Sequence, residues 1–341
     1  MKPALVAYAA VAAGAVVVAL TLEWPPIVTD QRGYRGTGIE QVNTAHHLEA
    51  QAAANQVPAP IDPVDPDGTK SSEVYQNVQV LGDVDSAEFT RLMSAITEWV
   101  APEQGCAYCH AEGEELSSDK LYTKVVARRM LQMTKHLNEQ WSAHVAPAGV
   151  TCYTCHRGQP VPAKVWFENP GPPHALGMAG NKAGQNMPAP SVGEASLPYD
   201  PFTPFLLKDN GIRVVSTTPL PEGNRHSIKQ AEWTYGLMMH ISEGLGVNCT
   251  YCHNSRSFSA WDQSSPARTK AWYGIRMARD LNNAYLEPLT ATFPPHRLGP
   301  LGDVAKVNCA TCHQGANRPL LGVSMLADYP ELGPPPTPPT Q

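Results

Sequence analysis

The sequence predicts a mainly α-helical chain with extensive loops, in which a helix–loop–Cys-x-x-Cys-His unit recurs four times, two and two, behind one N-terminal transmembrane helix. Three observations carry this. All eight cysteines fall in four copies of the five-residue motif. Each copy follows a stretch whose apolar residues recur at helical spacing. The span from Pro3 to Leu22 holds no charge. Composition sets the outer bounds: 341 residues, 16% charged, net charge −6, 33 Pro and 26 Gly. That length allows two or three domains, the single apolar span excludes a polytopic membrane protein, and the Pro and Gly content implies many loops. A net negative chain with no Lys/Arg run excludes nucleic acid as a partner, because phosphate binding needs clustered positive charge.

Residues 1–22 read as a membrane anchor. Twenty apolar residues suffice to cross a bilayer as a helix, and no small-residue cleavage site of the A-x-A kind follows Leu22. Lys2 on the short side predicts a cytoplasmic N-terminus and places the rest of the chain outside the cytoplasm. Residues 23–75, with Gly33, Gly36, Gly38 and Pro58 to Pro66, read as an extended arm leaving the membrane.

The motifs are Cys106-Ala-Tyr-Cys109-His110, Cys152-Tyr-Thr-Cys155-His156, Cys249-Thr-Tyr-Cys252-His253 and Cys309-Ala-Thr-Cys312-His313. This is the attachment signature of c-type haem, in which two thiols form thioethers and the adjacent His supplies one axial nitrogen to the iron. A redox dithiol does not require the fifth-position His, and no cysteine remains for a disulfide, a zinc site or a lipid anchor. The expectation is therefore a multihaem cytochrome c fold with four covalent haem c groups. The motifs stand 46, 97 and 60 residues apart. They divide the chain into a first pair (76–160), a connecting segment (161–225) with short strand candidates such as Ile212–Val215, a second pair (226–320) and a Pro-rich tail (321–341).

Helical stretches precede each motif. Before the first, Phe89, Leu92, Met93, Ile96 and Val100 share a face, with Asp85 and Glu88 as a capping pair. Before the second, Leu121 to His144 reads as one long helix after Asp119. Before the third, Ser227 and Gln230 are capping candidates for a helix bearing Trp233, Leu237, Met238, Ile241 and Leu245. Before the fourth, Ala271 to Leu286 reads as helix.

An electron carrier needs both axial positions of its iron filled; Met raises the potential and a second His lowers it. Met93, Met130 and Met238 lie 13, 22 and 11 residues before Cys106, Cys152 and Cys249, each on its unit's helix. Met133 and Met239 are rivals to the last two. No Met stands between Met277 and Cys309, so His144 is the leading sixth ligand of the fourth iron, with His296 as competitor. At 1.5 Å rise per residue, His144 stands roughly 21 Å along a continuous helix from Met130, so the two cannot share an iron. His46, His47, His136, His174, His226 and His240 receive no assignment beyond solvation or packing.

In Gly-Tyr-Arg-Gly-Thr-Gly (33–38), Thr-Glu-Trp-Val (97–100), Val-Ala-Arg-Arg-Met-Leu-Gln-Met-Thr (126–134), Gly-Val-Thr-Cys-Tyr-Thr-Cys-His-Arg-Gly (149–158), Leu-Met-Met-His-Ile-Ser (237–242), Gly-Ile-Arg-Met-Ala-Arg-Asp-Leu-Asn (274–282) and Asp-Tyr-Pro-Glu-Leu-Gly (328–333), the chain resembles the tetrahaem cytochrome subunit bound to the reaction centre of purple photosynthetic bacteria. The resemblance implies local twofold symmetry, three His/Met haems on Met93, Met130 and Met238, and a His/His haem using His144. It implies an electron-transfer subunit, not an enzyme, that re-reduces the photo-oxidised bacteriochlorophyll pair. Its partners would be the core subunits L, M and H, a light-harvesting ring, and a soluble cytochrome c or high-potential iron–sulfur protein as donor. It would sit on the periplasmic face of the photosynthetic inner membrane, with the third motif nearest the pigment pair. Arg268 is a candidate for tuning that haem, and Arg157 and Arg318 for facing propionates. The runner-up is a membrane-anchored tetrahaem quinol dehydrogenase, against which the three Met residues argue.

Overall fold

A computed structural model describes residues 3–22, 26–31, 33, 38–171, 188–214 and 228–334. Helix α1 (Pro3–Thr21) buries none of its side chains and is long and apolar enough to cross a membrane. The arm, read as extended, carries ordered elements: strands β1 (Ile27–Gln31) and β2 (Glu40–Thr44) pair antiparallel, Ile27 against Thr44 and Gln31 against Glu40. Thr44 then caps α2 (Ala45–Ala54) by accepting from the His47 N–H. A four-residue α3 (Ser71–Val74) closes the arm.

Helix α4 (Ser86–Val100) starts at Asp85, whose carboxylate accepts from Ala87 N (3.0 Å). Glu88, expected to complete a capping pair, turns instead to Arg91 at 3.1 Å. Leu92, Ala95 and Trp99 recur on one buried face and pack with Met325, Tyr329 and Leu332, so the start of the Pro-rich tail forms part of the first unit's core. A second cluster gathers Trp166, Phe205, Leu206, Leu237, Ile241 and Ile275, and a third Leu137, Leu281, Leu286, Val304 and Val307.

The long helix expected over 121–144 is two helices, α5 (Tyr122–Gln140) and α6 (Ser142–Val145), broken at Trp141 (φ −109°, ψ 22°). The Trp141 indole N–H reaches Asp280 Oδ2 at 2.8 Å, which draws the chain out of line. Asp119 does not cap α5; it pairs with Arg128 and Lys124. Helix α7 (Cys152–His156) is the second motif. The strand expected near 212–215 is irregular chain over its described residues, 212–214; the Ile212 carbonyl accepts from Thr234 Oγ1 of α8 (Ile228–Leu245) instead of a strand partner. Ser227 and Val215 lie outside the described residues. Helix α9 (Pro266–Asp280) begins earlier than expected, with Pro266 in its first turn, and passes into a π-helical turn over Leu281–Leu286. That wider turn buries Asn282, which donates to Leu206 O and Val307 O and accepts from Val307 N. Helix α10 (Cys309–His313) is the fourth motif.

Candidate functional site

The four motifs fold in two styles. The second and fourth are short α-helices opened by a reciprocal cap, Thr151 with Thr154 and Asn308 with Thr311. Each ends in a left-handed pair, Arg157-Gly158 and Gln314-Gly315. Those glycines donate to the helices of the preceding units, Gly158 N to Trp99 O of α4 (2.8 Å) and Gly315 N to Gly244 O of α8 (2.9 Å). The first and third motifs fold as 3-10 turns, Gly105–Tyr108 and Cys249–Tyr251. Their Tyr108 and Tyr251 carbonyls accept from the hydroxyls of Thr123 and Ser265 at the starts of α5 and α9. Motif one thus matches three, and two matches four, as a local twofold requires.

All four motif histidines are oriented alike. Nδ1 donates to a backbone carbonyl downstream: His110 to Leu116 (3.0 Å), His156 to Gln159 (2.8 Å), His253 to Phe258 (2.8 Å) and His313 to Ala316 (2.9 Å). This fixes the tautomer and leaves Nε2 as the lone-pair nitrogen. Burial lowers the pKa of each ring, that of His313 to about 4, so the neutral, ligating form prevails. No disulfide joins any of the eight cysteines. Burial pushes Cys109 and Cys252 up to about 11 and Cys152 and Cys309 up to about 12. Among the described residues no cluster of three or more His, Cys, Asp or Glu side chains could hold a bare ion. A paired thiol set beside one free imidazole nitrogen is instead what a covalently attached porphyrin iron uses, and the residues fit that group.

The His144 ring approaches that of the fourth motif's histidine. The His144 ring, on α6, lies 6.1 Å from that of His313, the planes at 72°. With Nδ1 donated to the Lys270 carbonyl, His144 would, like His313, offer Nε2 to a haem iron. Its rival, His296, is an exposed residue of the turn Pro295–Arg297. Met93, Met130 and Met238 are half-buried on α4, α5 and α8. The Met239 methyl lies beside Gly193 of the connecting segment; Met133 packs in the same cluster as Met130.

Motifs two and four meet head to head. Arg157 donates to Cys312 O (3.3 Å), and its twofold counterpart Gln314 donates to Cys155 O (3.5 Å). The Cys312 sulfur beside it, together with burial, holds the Cys155 thiol well above its usual pKa. The arm passes the units in the order three, four, two, one: Ile39 N donates to Thr250 Oγ1 (2.8 Å) and Gln51 to Gly315 O. Further along, Ala54 O accepts from Arg157 (2.7 Å), Gln56 O accepts from Tyr153 (3.0 Å), and Ile61 O accepts from Arg91 of α4 (3.1 Å).

Sequence reasoning missed Lys306, three residues before Cys309. Fully buried, its ammonium lies 2.6 Å from Asp303, 2.9 Å from Glu287 and 5.3 Å from the centre of the Trp166 ring. Lysine gives no sequence signal of such burial. Arg268 donates to Ala260 O and Ser264 Oγ, with its guanidinium 4.1 Å from the Trp261 ring centre. Arg157 spends its donors on carbonyls and on Asn55.

Comparison with known proteins follows the same lines. The sequence model of the family described as photosynthetic reaction centre cytochrome C subunit matches residues 23–333. The photosynthetic reaction center cytochrome c subunit of Rubrivivax gelatinosus is 56% identical over 315 residues, 92% of this chain and 86% of the relative. Its namesake from Thermochromatium tepidum is 51% identical over 316 residues, covering 93% and 78%. That of Roseobacter denitrificans is 40% identical over 322 residues, covering 89% and 84%.

Proposed function

The chain belongs to the photosynthetic reaction centre cytochrome c subunit family, and from that membership we propose that it passes single electrons from a soluble periplasmic carrier to the photo-oxidised bacteriochlorophyll pair. It holds four c-type haems on Cys106/Cys109, Cys152/Cys155, Cys249/Cys252 and Cys309/Cys312. Their irons would be held by His110 with Met93, His156 with Met130, His253 with Met238 and His313 with His144. When bound, each haem supplies a one-electron ferric/ferrous couple, and ligation from both sides leaves no position for a substrate. The chain is accordingly an electron carrier, and the quinol dehydrogenase is not favoured.

The protein's part is orientation and order. Backbone carbonyls hold the motif imidazoles with Nε2 free, and burial keeps the rings neutral. The observation that carries the relay is the contact of motif two with motif four: it supports a line running one, two, four, three, with the pairs joined at the centre.

The arm supports the direction. Gly33 packs against the Thr250 backbone of motif three. Gly33 is twelve residue steps from Thr21, a span of at most about 43 Å when extended. Motif three is then the membrane-proximal site, facing core subunits L and M, with H and a light-harvesting ring as neighbours in the inner membrane. Helix α1 crosses once with its N-terminus cytoplasmic, leaving the haem-bearing body periplasmic. At the far end, Glu112, Glu114 and Glu115 are exposed just after motif one. They form an acidic surface for steering a basic cytochrome c or a high-potential iron–sulfur protein.

Flash-induced absorption on native membranes tests the reading. Haem oxidation should follow pigment bleaching; haem reduction driven by quinol in the dark, with no response to the flash, would overturn it.

A further inference from the structure

Three units carry a candidate Met on their own helix 11 to 22 residues before the motif, whereas the one methionine of α9, Met277, stands 32 residues before Cys309 and packs against the third apolar cluster. We infer that Gly274 is the positioning residue of the fourth site: the absence of a side chain there makes the seat on which the His144 ring lies. A Cβ built at Gly274 would stand 2.6 Å from Cε1, 3.1 Å from Nδ1 and 3.2 Å from Nε2 of His144. Contact with three ring atoms at once means that the face of the imidazole rests on the glycine backbone. One turn earlier, Lys270 O accepts from His144 Nδ1 at 2.8 Å, and Lys270 Nζ donates to Ala143 O at 2.7 Å.

Two residues a turn apart on α9 thus hold the ring by its face and by its edge, and they bind α6 itself. Nε2 is left for the space shared with His313, whose ring centre lies 6.1 Å away. Glycine weakens a helix interior relative to alanine. With nothing to accommodate, alanine here would be stabilising. Accommodation of a ring supplied by another unit is what the glycine does, and it is why this unit takes its ligand from elsewhere.

The inference rests on His144 being the sixth ligand, and the test separates the two. In the haem-loaded chain, Gly274→Ala should abolish the low-spin bis-imidazole electron paramagnetic resonance signal. Carbon monoxide uptake by the reduced protein should rise from none to about one equivalent per chain, the other three sites staying as they were. His144→Ala should do the same; if His144→Ala leaves that signal intact, the ligand assignment itself fails. If His144→Ala removes the signal but Gly274→Ala retains it, the assignment stands and the seat is wrong.

Should Gly274→Ala fail to assemble, Gly274→Ala/His144→Met decides, because a flexible thioether needs no flat seat. Recovery of a low-spin fourth site in the double variant supports the inference, and failure of the double variant to assemble overturns it.

Discussion

Lys306 shows how one residue can be costly and still indispensable. Removing a buried cation strands its carboxylate partners, which outweighs what the pair contributes. Lys306→Met should therefore lower stability by about 3–5 kcal/mol in denaturant titration of the haem-loaded protein, because Asp303 and Glu287 would face each other unneutralised. Glu331 runs the other way. Burial raises its carboxyl above the usual 4.5, with the Glu88 carboxylate adding to the effect. A raised carboxyl pKa means that stability falls as pH rises through the folded-state value. Glu331→Gln should accordingly stabilise the protein at neutral pH by about 1 kcal/mol or less, given its partial exposure. The gain should vanish below about pH 4.5, where the wild-type side chain is itself neutral. At this scale the motif cysteines and histidines were legible because covalent chemistry demands that spacing. Lys306 and Gly274 were not, since their roles exist only where distant segments meet.

Helix ends divide in the same manner. Asp85 announces the start of α4 because its cap is local. The break at Trp141, the π-turn at Leu281 and the early start of α9 are set from afar, by Asp280, by Leu206 O and Val307 O, and by Tyr251 O, which accepts from Ser265. Asp280 is the hinge pin between α5 and α9, accepting from Trp141 Nε1 at 2.8 Å and from His136 Nε2 at 2.6 Å. Asp280→Ala should cost about 1–3 kcal/mol in thermal or denaturant unfolding through the two stranded donors. By freeing the joint between α5 and α6 it should also broaden the spectroscopic signal of the His144 site while leaving that of motif one unchanged. The Ile212–Val215 strand reading failed for a related reason: β-branched composition favours strands only where a partner edge exists, and a threonine of α8 takes the Ile212 carbonyl instead.

Across the whole molecule, the paired spacing of the motifs foretold two halves, yet only contacts reveal that motifs two and four form the junction. Glu112, Glu114 and Glu115 are exposed just after motif one. Glu112→Lys/Glu115→Lys should slow electron entry from a basic donor severalfold or more at low ionic strength in stopped-flow or flash kinetics. The difference should fade as the Debye length shrinks to about 3 Å at 1 M salt.

The arm adds a constraint in time. Residues near 51, among the first to leave the ribosome, bond to Gly315, among the last. The finished shape can therefore close only after nearly the whole polypeptide has been made. Until then the arm has no fourth motif to lean on, so this contact is a late event however early the arm itself is made.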